Sequence, residues 1–220
     1  MRHSERRSKA LPVTTASIRI LVVDDHILLR QGIAGIVAPE HDMEVVGEAE
    51  NGADAIAQFD RLRPDVTLMD LQMPVMPGIE AIAGIRAQAP DANIVVLTTY
   101  HGDVQAVRAL KAGARGYLLK SSLIDELLTA IRTVHAGRRY IPADVAQDIA
   151  MHAAEDPLSA REIDILTLVA AGQANKVVAR ELSVSEQTVK AHLRTIFQKL
   201  GVSDRTQAVT TALRRGIIRL

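Results

Sequence analysis

The sequence has no cysteine and few aromatic residues: among 220 residues there are three Tyr, two Phe and no Trp. The missing cysteine excludes a disulfide scaffold, a thiolate metal site and a cysteine nucleophile, and it fits a reducing, cytoplasmic environment. No apolar run approaches the roughly 20 residues of a membrane-spanning helix, so we expect no membrane association. Because 48% of the residues are hydrophobic and 24% are charged, we expect a folded protein with an aliphatic core.

The net charge is zero, but the charges are unevenly distributed. Residues 18–140 carry 12 basic and 16 acidic side chains, whereas residues 157–220 carry 10 basic and five acidic ones. An acidic front half and a basic back half predict different partners, a cation or phosphate group in front and a polyanion behind. The sequence therefore predicts four segments: a disordered basic tail at 1–17, a first domain at 18–138, a linker at 139–156 and a second domain at 157–220.

The first domain alternates short apolar runs with segments of helical length. Most of the runs are β-branched and continuous, as expected for strands buried on both faces. Five such repeats predict a doubly wound α/β fold with a five-stranded parallel sheet. The predicted strands are 18–23, 44–47, 65–69, 93–97 and 116–119, and the predicted helices are 27–37, 52–62, 79–88, 103–112 and 122–136.

Polar side chains follow the apolar runs. Asp24 and Asp25 come directly after the first, Asp70 after the third, Thr98 after the fourth and Lys120 after the fifth. Any one of them alone is typical of a helix cap or a surface charge. Because the functional crevice of such sheets lies at the carboxyl ends of the strands, we expect the five to converge. Three carboxylates favour a hard cation such as Mg²⁺, and an ionised aspartate there would be a nucleophile toward phosphorus.

Four helices are predicted in the second domain, because capping residues and glycines mark their ends. The second and third of them are separated by only three residues, 183–185, as in a helix-turn-helix whose second helix enters the major groove of DNA. Four basic side chains of this helix lie off its apolar stripe: Lys190, His192, Arg194 and Lys199. A solvated basic face on a structural helix is the alternative interpretation.

Four segments resemble, in order, the receiver domain of two-component response regulators: LVVDD (21–25), LMDLQMPVMPG (68–78), VVLTTY (95–100) and GYLLK (116–120). The resemblance implies a flavodoxin-like sheet with Asp70 as the phosphoacceptor. It also implies that Pro74 and Gly78 shape the loop after Asp70. One departure is Ser121, where many receivers have proline. The implied Mg²⁺ ligands are Asp24, Asp25, Asp70 and the backbone carbonyl of Gln72, and the implied phosphoryl-contact and switch residues are Thr98, Tyr117 and Lys120.

Residues 158–202 resemble the LuxR-type DNA-binding domain, most specifically at TVKAH (188–192) and KLGV (199–202). The resemblance implies a dimer contact on DNA through the last helix, at about 204–215. Together the two resemblances indicate the NarL/FixJ class of response regulators. The residues expected to contact DNA are Lys190, Ala191, His192, Arg194, Asn175 and Lys176 by the resemblance, and Lys199 by its place off the apolar stripe.

The function implied is that of a transcription factor. A sensor histidine kinase would phosphorylate Asp70 with Mg²⁺ and thereby switch binding to promoter DNA, with a homodimer in the phosphorylated or DNA-bound state and RNA polymerase as a further partner. The alternative is a phosphorylation-independent regulator with a vestigial receiver. A phosphatase is disfavoured because position 72, where a second acid is expected, is Gln, so we expect no catalysis beyond gain and loss of the aspartyl phosphate. A nontranscriptional interaction module is disfavoured by the basic helix.

Overall fold

The structure is a computed structural model that describes residues 17–99, 102–152 and 156–218. The predicted disordered tail lies, except for Ser17, outside the described residues. Within the described part, no helix is long and apolar enough to span a membrane.

Five strands form the predicted parallel sheet, in the order β2-β1-β3-β4-β5. The order reverses between β1 and β3, so the crevice expected at the carboxyl ends lies between these two strands. Every residue of β3 and β4 is buried, which explains why their sequences are mostly apolar and do not alternate with polar residues. The strands are β1 (Ile18–Val23), β2 (Met43–Ala49), β3 (Val66–Asp70), β4 (Ile94–Thr98) and β5 (Gly116–Leu119).

Helices cover both faces of this sheet, as the doubly wound prediction requires. One core contains Met69 and Val96 together with residues of α2, α3 and α4. The other contains Leu68 and Val95 with residues of α1 and α5, so successive strand residues point into opposite layers. The helices are α1 (Ile27–Val37), α2 (Gly52–Leu62), α3 (Gly78–Gln88), α4 (Asp103–Ala112) and α5 (Leu123–His135).

The segment predicted as a linker is docked on the first domain. The main-chain N–H of Tyr117 donates to the carbonyl of Tyr140 at 2.8 Å, and the N–H of Tyr140 donates to the carbonyl of Arg115 at 3.1 Å. The segment therefore covers the free edge of β5. Helix α6 (Ala143–His152) follows and buries Val145 completely in the core beside α4.

The second domain consists of four helices packed around their own apolar core, as predicted. The expected capping box of Ser159 and Glu162 is present, and Ser185 and Asp204 cap the third and fourth helices of this domain. Gly201 ends the third helix in the left-handed conformation, with φ of +63°. The helices are α7 (Ala160–Ala170), α8 (Asn175–Glu181), α9 (Glu186–Leu200) and α10 (Arg205–Arg214).

Val75, in the loop between β3 and α3, has φ of +66° although it is β-branched and 86% exposed. A branched residue rarely adopts this conformation, so the loop is strained there by about 1–3 kcal/mol. We predict that Val75→Gly raises the free energy of unfolding by about 1 kcal/mol, because relief of strain exceeds the extra entropy of the unfolded glycine chain. Chemical denaturation of the full chain measures this, with Val75→Ala expected to recover only part of the gain. A lower midpoint for Val75→Gly would contradict the prediction.

Candidate functional site

A buried acidic pocket lies at the carboxyl ends of β1 and β3. Asp24 follows β1 and is completely buried, and Asp70 ends β3 with 3% exposure. The ammonium group of Lys120, directly after β5, lies 2.6 Å from Asp24 Oδ2 and 3.0 Å from Asp70 Oδ2. The structure thus brings together three of the side chains that the strand ends predicted, and one cation pairs with two carboxylates.

The charges in this pocket perturb one another. Burial raises the pKa of Asp70 above its ordinary value; Lys120 acts in the opposite direction, and Asp24 adds to the rise. Burial lowers the pKa of Lys120, but its hydrogen bonds with Asp24 and Asp70 outweigh this and leave the pKa raised. Lys120 is therefore held as an ammonium ion, and the ionised form of Asp70 depends on that positive charge.

The carboxylates of this pocket suit a hard divalent cation. One ligand atom each from Asp24, Asp25, His26 and Asp70 lie within 4.8 Å of one another. The backbone N–H of Gln72 donates to the Asp70 carboxylate. His26 occupies the N-cap position of α1 without a side-chain capping bond and places Nδ1 2.8 Å from Asp25 Oδ1, but its side chain is 72% exposed. Because oxygen donors predominate, the residues present fit Mg²⁺.

Thr98 of β4 and Tyr117 of β5 form a buried pair. Thr98 ends β4 and is 2% exposed, and Tyr117 in β5 is completely buried. Their side chains are hydrogen-bonded, and burial raises the pKa of Tyr117 to about 12 although this bond acts in the opposite direction. The same tyrosine is bonded through its backbone to Tyr140, so the pair is directly connected to the segment between the domains.

The loop after Asp70 depends on a glycine. A Cβ atom at Gly78 would lie 1.9 Å from the carbonyl oxygen of Asp70, so only glycine fits where α3 begins. Pro74 lies in the same loop and is exposed. The bond between Lys120 and Ser121 is trans, as are the other peptide bonds of the described chain, and Lys120–Ser122 form a 3-10 turn that leads into α5.

Arg30, which sequence reasoning missed, supports the pocket from α1. Its guanidinium donates to the backbone carbonyl of Asp24 at 2.7 Å and to Glu48 Oε2 at 2.8 Å. These bonds tie the Asp24 backbone to α1 and β2. The only sequence signal was the place of Arg30 one helical turn after His26.

A basic surface on α9 faces away from the core of the second domain. Lys190, Ala191 and Arg194 are exposed, whereas His192 is half-buried beside them. The ammonium group of Lys190 lies 3.3 Å from Glu186 Oε1, one turn earlier. Since the opposite side of α9 is buried through Val189, Leu193 and Ile196, the predicted amphipathic arrangement is present.

Three further residues were predicted to contact DNA. Asn175 and Lys176 lie on α8, whereas Lys199 of α9 has its partners inside the second domain. Lys176 is exposed, and Asn175 Oδ1 accepts a hydrogen bond from Arg205 of α10 at 3.2 Å. Lys199 instead lies 2.9 Å from the buried carboxylate of Glu162 and donates to the carbonyl of Pro157. It neutralises a buried charge inside the domain, so the structure does not group Lys199 with Lys190.

Two family models match the chain. The model "Response regulator receiver domain" matches residues 20–132, and "Bacterial regulatory proteins, luxR family" matches residues 156–212. The chain is 41% identical over 212 residues to the uncharacterized transcriptional regulatory protein YxjL of Bacillus subtilis, covering 91% of this chain and 97% of YxjL.

Solved structures of response regulators are similar along most of the chain. ChrA, from a heme-sensing two-component system, is 36% identical with a TM-score of 0.55, covering 92% of this chain and 100% of ChrA. RcsB, in a complex with DNA, is 25% identical with a TM-score of 0.67, covering 90% of this chain and 98% of RcsB. The fold and the acidic pocket define a receiver joined to a helix-turn-helix domain. The chain belongs to the response regulators that carry a LuxR-type DNA-binding domain.

Proposed function

We propose that this protein is a transcription factor whose binding to promoter DNA is switched by phosphorylation of Asp70. The observation that supports this most directly is the ionic arrangement of the pocket, where one ammonium group touches both Asp24 and Asp70. The family consists of transcription-factor response regulators rather than typical enzymes. We therefore propose no catalysis beyond acceptance and loss of the protein's own aspartyl phosphate.

A phosphohistidine of a sensor kinase is the proposed donor. A carboxylate oxygen of Asp70 attacks phosphorus, the P–O bond forms as the P–N bond breaks, and the imidazole, already protonated on its other ring nitrogen, leaves as the neutral ring. Lys120 pairs with the oxygens of the transferred group, so the charge that builds up there is neutralised.

Mg²⁺ would be held by the carboxylates of Asp24, Asp25 and Asp70 and the backbone carbonyl of Gln72. When bound, it supplies positive charge against the phosphoryl oxygens. Arg30 keeps the Asp24 backbone in place beside this site. Gly78 lets α3 approach the Asp70 carbonyl closely enough to position the nucleophile.

Thr98 and Tyr117 would transmit the change. The Thr98 hydroxyl leaves its place beside Tyr117 to bond a phosphoryl oxygen, and Tyr117 and the backbone of β4 and β5 adjust. This shifts an existing equilibrium rather than creating a new state. The consequence is release of the DNA-binding domain, dimerisation, or both.

The basic face of α9 is the proposed reading surface for DNA. Arg194 and Lys190 would reach base edges or phosphates in the major groove with Ala191 and His192 beside them, while Asn175 and Lys176 would lie near phosphates. A homodimer would place two such helices ~34 Å apart on adjacent half-sites. The RcsB complex with DNA supports this by similarity. RNA polymerase as a partner and a cytoplasmic location remain parts of the same proposal.

Each of the predicted segments has its own proposed role. We propose residues 18–138 as the receiver, 139–156 as the connection and 157–220 as the DNA-binding domain, with 1–17 as a tail. The competing hypothesis, a DNA-binding regulator with a vestigial receiver, is disfavoured because Asp24, Asp70, Thr98 and Lys120 are all in place.

Incubation of the full chain with acetyl phosphate tests the proposed chemistry. In the presence of Mg²⁺, intact mass should show one phosphoryl group per chain, and hydroxylamine, which cleaves acyl phosphates, should remove it. EDTA should prevent the uptake. A chain that takes up no phosphoryl group with Mg²⁺ would contradict the proposal and favour the vestigial receiver.

A further inference from the structure

An ion pair joins the two domains directly. The guanidinium of Arg215, just after α10, binds both carboxylate oxygens of Asp103, the first residue of α4, at 3.0 and 2.9 Å. Both side chains are largely buried, with 11% and 7% exposure. His152 of α6 lies 3.6 Å from the same carboxylate, so three segments of the chain meet at Asp103. A bidentate, buried arginine–carboxylate pair is strong and geometrically specific.

The backbones of the two domains also approach closely at this point. A Cβ atom at Gly102 would lie 2.4 Å from the carbonyl oxygen of Arg215, so glycine is required for the contact. Gly216, with φ of +67°, packs against the side chain of Gln105. The C-terminal end of α10 is therefore seated on the N-terminal end of α4.

This interface is imperfect in two ways. Gln105 is 1% exposed, yet neither its amide oxygen nor its nitrogen has a hydrogen-bond partner among the described residues. A cavity of about 510 Å³ lies next to the ion pair, between Val104 and Val107 of α4 and Leu158 and Leu200 of the second domain. Buried amide groups without hydrogen-bond partners destabilise the closed arrangement and so weaken the interface. Such an interface suits a contact that opens.

The ion pair lies close in sequence to the proposed switch residue Thr98. Thr98 ends β4, and only four residues separate it from Asp103. A displacement of Thr98 would therefore have only a short stretch of sequence to cross before it reached Gly102 and Asp103. An acidic residue in the first turn of a helix is favourable by itself, so α4 does not need Arg215 in order to form.

We propose that Asp103 and Arg215 form an interdomain latch, which holds the DNA-binding domain against α4 and opens when Thr98 at the end of β4 is displaced. While the latch is closed, the second domain is attached rigidly to the receiver and is not free to align with a second copy on DNA. The triggering step rests on the proposed function, but the latch itself is testable without phosphorylation.

Charge reversal tests the latch in the full, unphosphorylated chain. Asp103→Arg and Arg215→Asp should each increase the radius of gyration in small-angle scattering. Each should also raise the affinity for a DNA duplex, selected from a random library by beryllofluoride-treated protein, by about tenfold. The variant that carries both substitutions should restore the radius of gyration and the DNA affinity of wild type. The two single variants change the net charge in opposite directions. If only this charge mattered, Asp103→Arg would bind DNA more tightly and Arg215→Asp would bind it more weakly.

Two uncharged variants provide further tests. Gly102→Ala keeps an ordinary φ of −66° but places a methyl group against Arg215, so it should open the interface; Gly35→Ala, whose Cβ meets nothing within 4 Å, is the matched control. Gln105→Met removes the unpaired amide at similar volume, so it should stabilise the closed interface and lower DNA affinity.

The latch would be overturned if Asp103→Arg, Arg215→Asp and Gly102→Ala all stayed as compact as wild type. In that case the proposed function would still hold, provided that wild type takes up a phosphoryl group and responds to beryllofluoride. If wild type takes up none, the proposed function fails, and the scattering still decides the latch.

Discussion

Asp70→Asn is expected to abolish uptake of phosphoryl from acetyl phosphate completely. The amide oxygen is a poor nucleophile, whereas the substitution is nearly isosteric and Lys120 keeps its contact of 2.6 Å with Asp24. Because burial already raises the pKa of Asp70, loss of its charge should not destabilise the fold. Intact mass and size-exclusion chromatography with Mg²⁺ and beryllofluoride measure the effect, and we expect a change of size only in wild type.

Asp91→Asn is the matched control for this prediction. It removes the same charge from a side chain that is 99% exposed and far from the pocket, so uptake should equal that of wild type. If Asp70→Asn took up as much phosphoryl as Asp91→Asn, another residue would be the acceptor and the assignment would be wrong.

Arg194→Ala and Lys190→Ala are each expected to weaken DNA binding by about tenfold to about 100-fold. Both side chains are exposed on the same face of α9, so the fold should be unaffected. Loss of Lys190 also leaves Glu186, its partner at 3.3 Å, as an uncompensated negative charge beside the DNA. Fluorescence anisotropy with the selected duplex, repeated at several salt concentrations, measures affinity and the number of phosphate contacts.

Arg61→Ala controls for a general loss of positive charge, because Arg61 is an exposed arginine of the receiver. It should leave affinity nearly unchanged. Equal affinities for Arg194→Ala, Lys190→Ala and Arg61→Ala would mean that the basic face of α9 is only a solvated surface. A variant that loses affinity equally for all sequences contacts phosphate, whereas one that relaxes specificity reads a base.

The sheet was predictable because burial on both faces leaves a direct trace in the sequence. Runs such as 94–97 are apolar at every position, and in a parallel sheet that pattern also determines where the strand ends. Once the ends were located, the convergence of Asp24, Asp70 and Lys120 followed from topology alone. The second domain was predictable for a different reason, because its helix ends carry explicit capping residues.

The missed features depend on contacts between distant residues. Asp103 and Arg215 are separated by 112 positions, and nothing local to either indicates the other. The docking of Tyr140 on β5 is likewise a pairing of single residues without a strand pattern. Lys199 is different, because a signal existed. It follows Lys190 by nine residues, which at 3.6 residues per turn places the two about 180° apart on α9.

Control of DNA binding by Asp70 can be measured as the affinity of the full chain for the selected duplex with and without beryllofluoride, in the presence of Mg²⁺ and beside Asp70→Asn. We predict that beryllofluoride increases the affinity of wild type at least about tenfold and leaves Asp70→Asn unchanged. Equal affinities of wild type under both conditions, or the same increase in Asp70→Asn, would contradict the claim that Asp70 controls DNA binding.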